Sequence, residues 1–124
     1  MKILVVDDEK DTQTLFEQRF RRETRNSLVE FAFAFSGEEA LEHLKKPEHH
    51  GSLILSDINM PGMNGLELLG QIRRQFLTPP PVVMMISAYG DVENMKMAKQ
   101  LGADDFLTKP VNFTELKQKL NLPV

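Results

Sequence analysis

Cysteine is absent from the sequence, which excludes disulfide bonds and any metal site built on cysteine ligands. No apolar run approaches the roughly 18 residues of a membrane helix. The first ten residues also lack the long apolar region of a signal peptide. There is no basic excess either, because 15 Lys and Arg residues face 18 Asp and Glu residues, for a net charge of −3. These absences favour a cytoplasmic protein that contacts neither nucleic acid nor a membrane directly.

Five short runs rich in apolar or β-forming residues alternate with longer segments in which apolar residues recur at helical spacing. The runs cover residues 2–6, 29–35, 52–57, 82–87 and 103–109. Apolar runs this continuous are typical of a parallel sheet covered by helices on both faces. The sequence therefore predicts one α/β domain of five strands and five helices over residues 1–121, with 122–124 as a tail or the start of a linker.

Polar side chains stand where these predicted strands end. Asp7 and Asp8 follow the first run, Asp57 ends the third, Ser87 ends the fourth and Lys109 follows the fifth. In open α/β sheets the ligand crevice lies beyond the carboxyl ends of the strands. We therefore expect three carboxylates, one hydroxyl and one ammonium group to share a single crevice.

Such a crevice suits a divalent cation and a phosphoryl group. Two carboxylates ~4 Å apart repel by about 4 kcal/mol at an effective dielectric constant of about 20. Mg²⁺ relieves this repulsion, and it binds through one or two carboxylates together with phosphate oxygens. Asp7, Asp8 and Asp57 are therefore predicted to hold Mg²⁺, with Mn²⁺ as the substitute ion. Lys109 offers a cation to a phosphate oxygen, and an Asp carboxylate such as Asp57 can form an aspartyl phosphate.

Taken singly, these residues admit ordinary interpretations. Asp7 and Asp8 alone fit the acidic N-terminus of a helix. Asp57 alone fits a turn before Pro61. The metal and acceptor interpretations rest on their combination with Lys109.

Four motifs in this order resemble the receiver domain of two-component response regulators, of the chemotaxis-regulator kind, over essentially the whole chain. They are "VVDDE", "SDINMPGMNG", "ISA" and "GADDFLTKP". The resemblance implies a flavodoxin-like, doubly wound parallel sheet with strand order 2-1-3-4-5. It also implies a signalling module rather than an enzyme, one that catalyses only its own phosphoryl transfer and autodephosphorylation.

The resemblance also implies a role for each site residue. Asp57 would accept a phosphoryl group from a histidine kinase or a histidine phosphotransfer protein. The backbone carbonyl of Asn59 would be a further metal ligand beside the acidic residues. Ser87 and Lys109 would bind the phosphoryl oxygens, and the bond between Lys109 and Pro110 would be a cis peptide.

Ser87 and Phe106 resemble the switch pair of the family. Phosphorylation would draw the hydroxyl toward the phosphate, turn Phe106 inward and reshape the surface of the fourth predicted helix, the fifth strand and the fifth helix. That surface would control an output domain or a partner protein, or form a homodimer. Because Phe106 lacks a phenol, we expect its outward state to be less sharply locked. Ala88 would leave the site open and Tyr89 would partly cover it, giving the phosphate a moderate to long lifetime.

Two other functional classes share this architecture. A Mg²⁺-dependent aspartyl-phosphate hydrolase usually carries its nucleophile in the first strand, with a second Asp two residues later, and "DDEKD" lacks that spacing. A flavodoxin-type electron carrier needs a Ser/Thr/Gly-rich phosphate loop after the first strand, where this sequence is acidic. Phosphatase turnover or flavin absorbance would revive either alternative. The chain is expected to be a stand-alone receiver or the N-terminal piece of a longer regulator.

Several further polar groups admit two interpretations. The pair Asp104 and Asp105 is interpreted as solvated loop acids. The histidines could bind a metal, but a polar loop is the favoured interpretation; they are His43, His49 and His50. The arginines of the first helix could form a nucleic-acid patch, but a solvated helix end is favoured; they are Arg19, Arg21, Arg22 and Arg25.

Overall fold

The computed structural model describes residues 1–88 and 90–123. Within these residues the chain forms five strands, six α-helices and one short 3₁₀ turn. The strands are β1 (Lys2–Val6), β2 (Glu30–Ala34), β3 (Leu53–Asp57), β4 (Val83–Ser87) and β5 (Asp105–Thr108). The α-helices are α1 (Asp11–Arg19), α2 (Arg21–Arg25), α3 (Gly37–Lys45), α4 (Gly65–Gln75), α5 (Val92–Gln100) and α6 (Phe113–Lys119), and the 3₁₀ turn is Pro47–His49.

The sheet confirms the predicted fold. All four neighbouring pairs of strands are parallel, and the strand order is β2-β1-β3-β4-β5. The register pairs Val6 with Ser56 and Asp57 with Ile86, so the carboxyl ends of the three central strands lie side by side. The order reverses between β1 and β3, which places a crevice beyond the ends of those two strands.

The structure has six helices rather than the predicted five, because the first helical segment is divided at Phe20. That residue has φ −108° and ψ 19°, outside the helical range, although its N–H still donates to the carbonyl of Phe16 at 3.0 Å. The Phe20 ring is fully buried and stacks on Phe16 at 5.9 Å between centroids. The predicted fourth and fifth helices are therefore α5 and α6.

Alternate residues of β1 face two separate cores. Leu4 and Val6 pack with side chains of α3, α4 and α5 on one face of the sheet. Ile3 and Val5 pack with side chains of α1 and α6 on the other face. This burial on both faces explains why the strand reads as a continuous apolar run. Within the described residues, no helix is long and apolar enough to span a bilayer.

Side-chain caps begin three of the helices, at residues whose type favours this role. Ser36, Asp91 and Asn112 accept hydrogen bonds from the N–H groups of Glu39, Asn94 and Glu115, respectively. The cap of α4 is not part of the sequence prediction. Asn64 and Glu67 form a reciprocal capping box there, and it begins α4 just after the loop that follows Asp57.

The interpretation of Asp104 and Asp105 as solvated loop acids is confirmed only in part, because Asp104 is exposed in the loop before β5 whereas Asp105 is partly buried as the first residue of β5. Oδ2 of Asp104 accepts a hydrogen bond from the N–H of Val83 at 2.8 Å and one from Arg73 at 3.0 Å. Asp105 forms a salt bridge with Lys119 at 3.0 Å. Both acids therefore tie the last two strands to neighbouring helices, contacts that depend on the tertiary fold.

Candidate functional site

Three acidic residues meet at the carboxyl edge of β1 and β3. Carboxylate oxygens of Asp7, Asp8 and Asp57 all lie within 4.8 Å of one another. Asp7 directly follows β1 and is held by its own N–H, which donates to the carbonyl of Ala34 at 3.1 Å. Asp57 is the last residue of β3. The predicted convergence of these carboxylates is therefore present in the structure.

Asp7 is oriented by two hydrogen bonds. Its Oδ1 accepts from the N–H of Glu9 at 2.9 Å, and its Oδ2 accepts from the hydroxyl of Thr12 at 3.0 Å. Asp7 is buried whereas Asp8 is exposed. Thr12 is a positioning residue that is missing from the sequence prediction, since a threonine in the first turn of a helix carries no distinctive signal.

Lys109 contacts Asp57 across this edge. Its Nζ lies 2.7 Å from Oδ2 of Asp57, and its backbone N–H donates to the carbonyl of Ser87 at 2.8 Å. The peptide bond between Lys109 and Pro110 is cis, as predicted. Pro110 itself is exposed. The lysine side chain is about one third exposed, which leaves its ammonium group accessible from the crevice.

Burial and charge act in opposite directions on Asp57. The residue is 2% exposed. Burial raises the pKa of its carboxyl above the usual value, Asp7 adds to this, and Lys109 opposes it without cancelling it. For Lys109, burial lowers the pKa, but the hydrogen bond and charge of Asp57 outweigh that effect and the pKa rises. Burial outweighs the opposing effects for the enclosed acid but not for the partly solvated lysine.

The loop after β3 turns tightly around Asp57. The N–H of Asn59 donates to Oδ1 of Asp57 at 3.2 Å, and the hydroxyl of Ser56 donates to the Asp57 carbonyl at 3.0 Å. Gly65 donates its N–H to the carbonyl of Ile58 at 2.8 Å. A Cβ atom at Gly65 would overlap the backbone oxygen of Asp57, so only glycine permits this approach. Ser56 and Gly65 are further positioning residues that are missing from the sequence prediction.

The predicted switch residues occupy β4 and β5. Ser87 ends β4 and is fully buried, and its Oγ has no hydrogen-bond partner among the described residues. Phe106 lies on β5, beside Met85 in the register, and is half-buried against the core formed with α4 and α5. Ala88 is exposed just beyond Ser87. Tyr89, the predicted cover of the site, lies outside the described residues.

The donor set fits a hard divalent cation. Three carboxylates face one ammonium group, so the cluster retains net negative charge after the ion pair of Lys109 with Asp57 is counted. Carboxylate oxygens are the ligands that Mg²⁺ prefers, and Mn²⁺ accepts the same set. Asp7, Asp8 and Asp57 are the residues that would hold it.

Comparison with known proteins places these features in a family. The model of the response regulator receiver domain matches residues 3–121. The transcriptional regulatory protein CpxR of Klebsiella pneumoniae is 36% identical over 96% of this chain and 47% of its own length. A cyclic di-GMP phosphodiesterase of Thermotoga maritima is 33% identical over 97% of this chain and 30% of its own length. This chain thus spans half or less of the length of these curated relatives.

Solved structures agree with the fold. A response regulator receiver protein from Pseudomonas putida superposes with a TM-score of 0.83 at 28% identity, over 97% of this chain and 94% of that one. The chemotaxis protein CheY4 of Vibrio cholerae superposes with a TM-score of 0.81 at 28% identity, over 97% of this chain and 95% of that one. Both cover nearly the whole sheet and its helices.

Proposed function

Because this chain belongs to the response regulator receiver domain family, we propose that it is a phosphorylation-controlled signalling module with Asp57 as its phosphoryl acceptor. Two features of one crevice carry this proposal. The Nζ atom of Lys109 lies 2.7 Å from Asp57, and oxygens of Asp7 and Asp8 lie within 4.8 Å of the same carboxylate. Burying a charged carboxylate at a strand end costs free energy of folding. A role as phosphoryl acceptor explains why such a residue is present.

In the proposed reaction a carboxylate oxygen of Asp57 attacks the phosphorus of a phosphohistidine on a donor protein. The new P–O bond forms as the P–N bond breaks, and the imidazole, which carries a proton on its other ring nitrogen, leaves as a neutral group. Charge on the transferring group is spread over its oxygens, so catalysis is mostly positioning and neutralisation. Lys109 supplies the neutralising ammonium group and Asn59 orients the nucleophile through its backbone N–H.

Asp7, Asp8 and Asp57, with the backbone carbonyl of Asn59, are the proposed ligands of Mg²⁺, or of Mn²⁺ in its place. When bound, the ion would supply positive charge opposite the phosphoryl oxygens. The hydrogen bonds from Thr12 and Glu9 to Asp7 support this assignment, because they hold the carboxylate in one orientation.

Ser87 and Phe106 are the proposed switch. The Ser87 hydroxyl is fully buried without a partner among the described residues, so it is free to bond a phosphoryl oxygen. Phe106 is half-buried against the core, so an inward movement would bury the part of its ring that is now exposed. We expect this movement to be less sharply gated than with tyrosine, which has a phenol to bond in the outward state.

The proposed output surface comprises α5, β5 and α6. Three apolar side chains of this region are solvent-exposed, namely Val92, Met97 and Leu101. Exposed apolar side chains that lie on one helix favour contact with another protein. We propose that this surface controls an output domain or a partner protein, or forms a homodimer, and that a histidine kinase or histidine phosphotransfer protein is the donor.

Incubation with acetyl phosphate and Mg²⁺, followed by intact-mass measurement, tests the acceptor. We expect a gain of one phosphoryl group that is lost with a chelator and in Asp57→Asn. Asp11→Asn is the matched control, because Asp11 is an exposed acid of α1 outside the cluster. Phosphorylation that persists in Asp57→Asn, or that is unaffected by the chelator, would contradict the proposal.

A further inference from the structure

Two histidines face each other at the edge of the sheet opposite the acidic cluster. His43 lies near the end of α3, and His49 lies in the 3₁₀ turn that precedes β3. Nδ1 of His43 is 3.3 Å from Nε2 of His49, and the ring centroids are 4.9 Å apart with planes at 71°. Both rings are partly buried, which is unlike the polar loop that the sequence favours.

We propose that His43 and His49 form a binding site for a zinc ion, separate from the phosphorylation site. Two nitrogens bound to one tetrahedral zinc at ~2.0–2.1 Å are themselves about 3.3–3.4 Å apart. The observed separation of 3.3 Å matches this edge. Adjacent ligands of a square-planar or octahedral ion at similar bond lengths would be closer, at about 2.9 Å. The separation of the two nitrogens therefore suits a tetrahedral ion.

A carboxylate and water are available to complete the coordination. Oε1 of Glu48 lies 3.8 Å from Nε2 of His49 but is not close to both imidazoles as placed, so its exposed side chain must rotate to reach an ion held by the pair. A cavity of about 250 Å³, lined in part by Glu48 and His49, lies beside His49 and gives water access to that side of the pair. Two imidazoles, one carboxylate and one water form a ligand set that zinc accepts.

The same 3.3 Å contact is a hydrogen bond when no metal is bound. In that state one imidazole donates its N–H and the other accepts it. Zinc requires both facing nitrogens to be unprotonated, so the donor ring must transfer its proton to its other nitrogen. Both facing nitrogens would then offer a lone pair to the ion.

The imidazole nitrogens also distinguish this pair from the phosphorylation site. The acidic cluster at the other end of β3 offers only oxygen ligands, which favour Mg²⁺, so the two sites are chemically distinct.

Calorimetric titration with Zn²⁺, in buffer containing a large excess of Mg²⁺ to occupy the acidic cluster, tests the site. We expect one Zn²⁺ per chain, and we expect His43→Gln and His49→Gln each to weaken binding by about tenfold or more. His50→Gln is the matched control, because His50 is the exposed neighbour of His49. Asp57→Asn should also bind Zn²⁺ as the unmodified protein does.

Nitrogen-15 NMR of the imidazoles gives a readout that needs no variant. Zn²⁺ should shift Nδ1 of His43 and Nε2 of His49 and leave both nitrogens of His50 unchanged. Failure of the unmodified protein to bind Zn²⁺ would overturn the proposal, as would equal losses in His50→Gln. Binding that survives His43→Gln but disappears in Asp57→Asn would assign the ion to the acidic cluster and would equally overturn it.

Discussion

Lys109 and Asp57 are 52 residues apart in the chain, and their Nζ and Oδ2 atoms lie 2.7 Å apart at the carboxyl edge of the sheet. The contact joins the loop after β5 to the last residue of β3. It does not fully offset the enclosure of Asp57, whose pKa remains above its usual value. The ionised carboxylate of Asp57 therefore lowers the free energy of unfolding. Such destabilising residues are common at functional sites, where they are kept for their chemistry.

Replacing Asp57 should therefore stabilise the protein in the absence of divalent metal. Because burial disfavours the ionised carboxyl, Asp57→Asn removes an unfavourable charge while an amide oxygen can still accept from Lys109. We expect the midpoint of thermal unfolding at neutral pH to rise by about 2–5 °C. Asp11→Asn should not raise the midpoint, because it removes an acid from the first turn of α1. A fall in Asp57→Asn would contradict the prediction.

The same shift has a defined pH dependence. A carboxyl whose folded pKa is raised destabilises the folded state when it is ionised, and this cost disappears as the pH falls through the folded pKa. The stability difference between Asp57→Asn and the unmodified protein should therefore be largest near neutral pH and should shrink on acidification. Urea unfolding in chelator at a series of pH values measures it.

The sequence predicts the site better than its surroundings. The convergence of Asp57 and Lys109 follows from local apolar runs, because the ends of parallel strands share an edge whatever the loops between them do. The contact of Asp104 with Arg73 joins residues 31 positions apart through helix packing, and no local pattern indicates it. The approach of His43 to His49 likewise depends on how the chain leaves α3.

Truncation of Ser87 and of Ser56 to alanine should change the free energy of unfolding in opposite directions. The buried hydroxyl of Ser87 has no partner among the described residues, so Ser87→Ala should stabilise the unphosphorylated protein by about 1 kcal/mol. The hydroxyl of Ser56 donates to the Asp57 carbonyl at 3.0 Å, and Ser56→Ala should cost about 1 kcal/mol. Urea midpoints compare the two.

Ser87→Ala should also lose the proposed response to phosphorylation. After acetyl phosphate and Mg²⁺, NMR signals of the Phe106 ring should move in the unmodified protein and in Ser56→Ala but stay in place in Ser87→Ala. A full shift of the Phe106 signals in phosphorylated Ser87→Ala would show that the ring responds independently of the serine, and it would contradict the proposed switch. Discrete inward and outward states of Phe106 before and after phosphorylation would contradict the expected loose gating.

Lys117 and Glu23 tie α6 to α2, and breaking this pair should weaken the fold. Oε2 of Glu23 lies 3.0 Å from Nζ of Lys117, which also donates to the carbonyl of Arg19 at 2.9 Å. Lys117→Met removes a charge-assisted hydrogen bond from a covered carboxylate and should cost about 2 kcal/mol. Adding Glu23→Gln should recover part of this loss, since the uncompensated charge is then gone.

Acid should remove the contribution of the same pair. Burial tends to raise the pKa of Glu23, but Lys117 and a backbone hydrogen bond outweigh it, so the folded pKa lies below its ordinary value of 4.5. The stabilisation is therefore fully present at neutral pH and is lost as the pH falls below that value and through the folded pKa. The stability advantage over Glu23→Gln should be constant above about pH 5.5 and decline below it.

Gly65 should be irreplaceable for a reason specific to the acceptor loop. A Cβ at this position would overlap the backbone oxygen of Asp57 and would lie 2.7 Å from Cα of Ile58, and backbone atoms cannot rotate away. Gly65→Ala should therefore displace the end of β3, cost about 1–3 kcal/mol of stability and slow phosphorylation by acetyl phosphate.

Gly70→Ala in the same helix is the matched control, because its Cβ would meet only the Arg74 guanidinium at 3.5 Å. Alanine is favoured over glycine within a helix by about 1 kcal/mol, so this control should be neutral or stabilised and phosphorylate normally. Equal behaviour of the two variants in urea unfolding and intact-mass assays would contradict the close approach of α4 to Asp57.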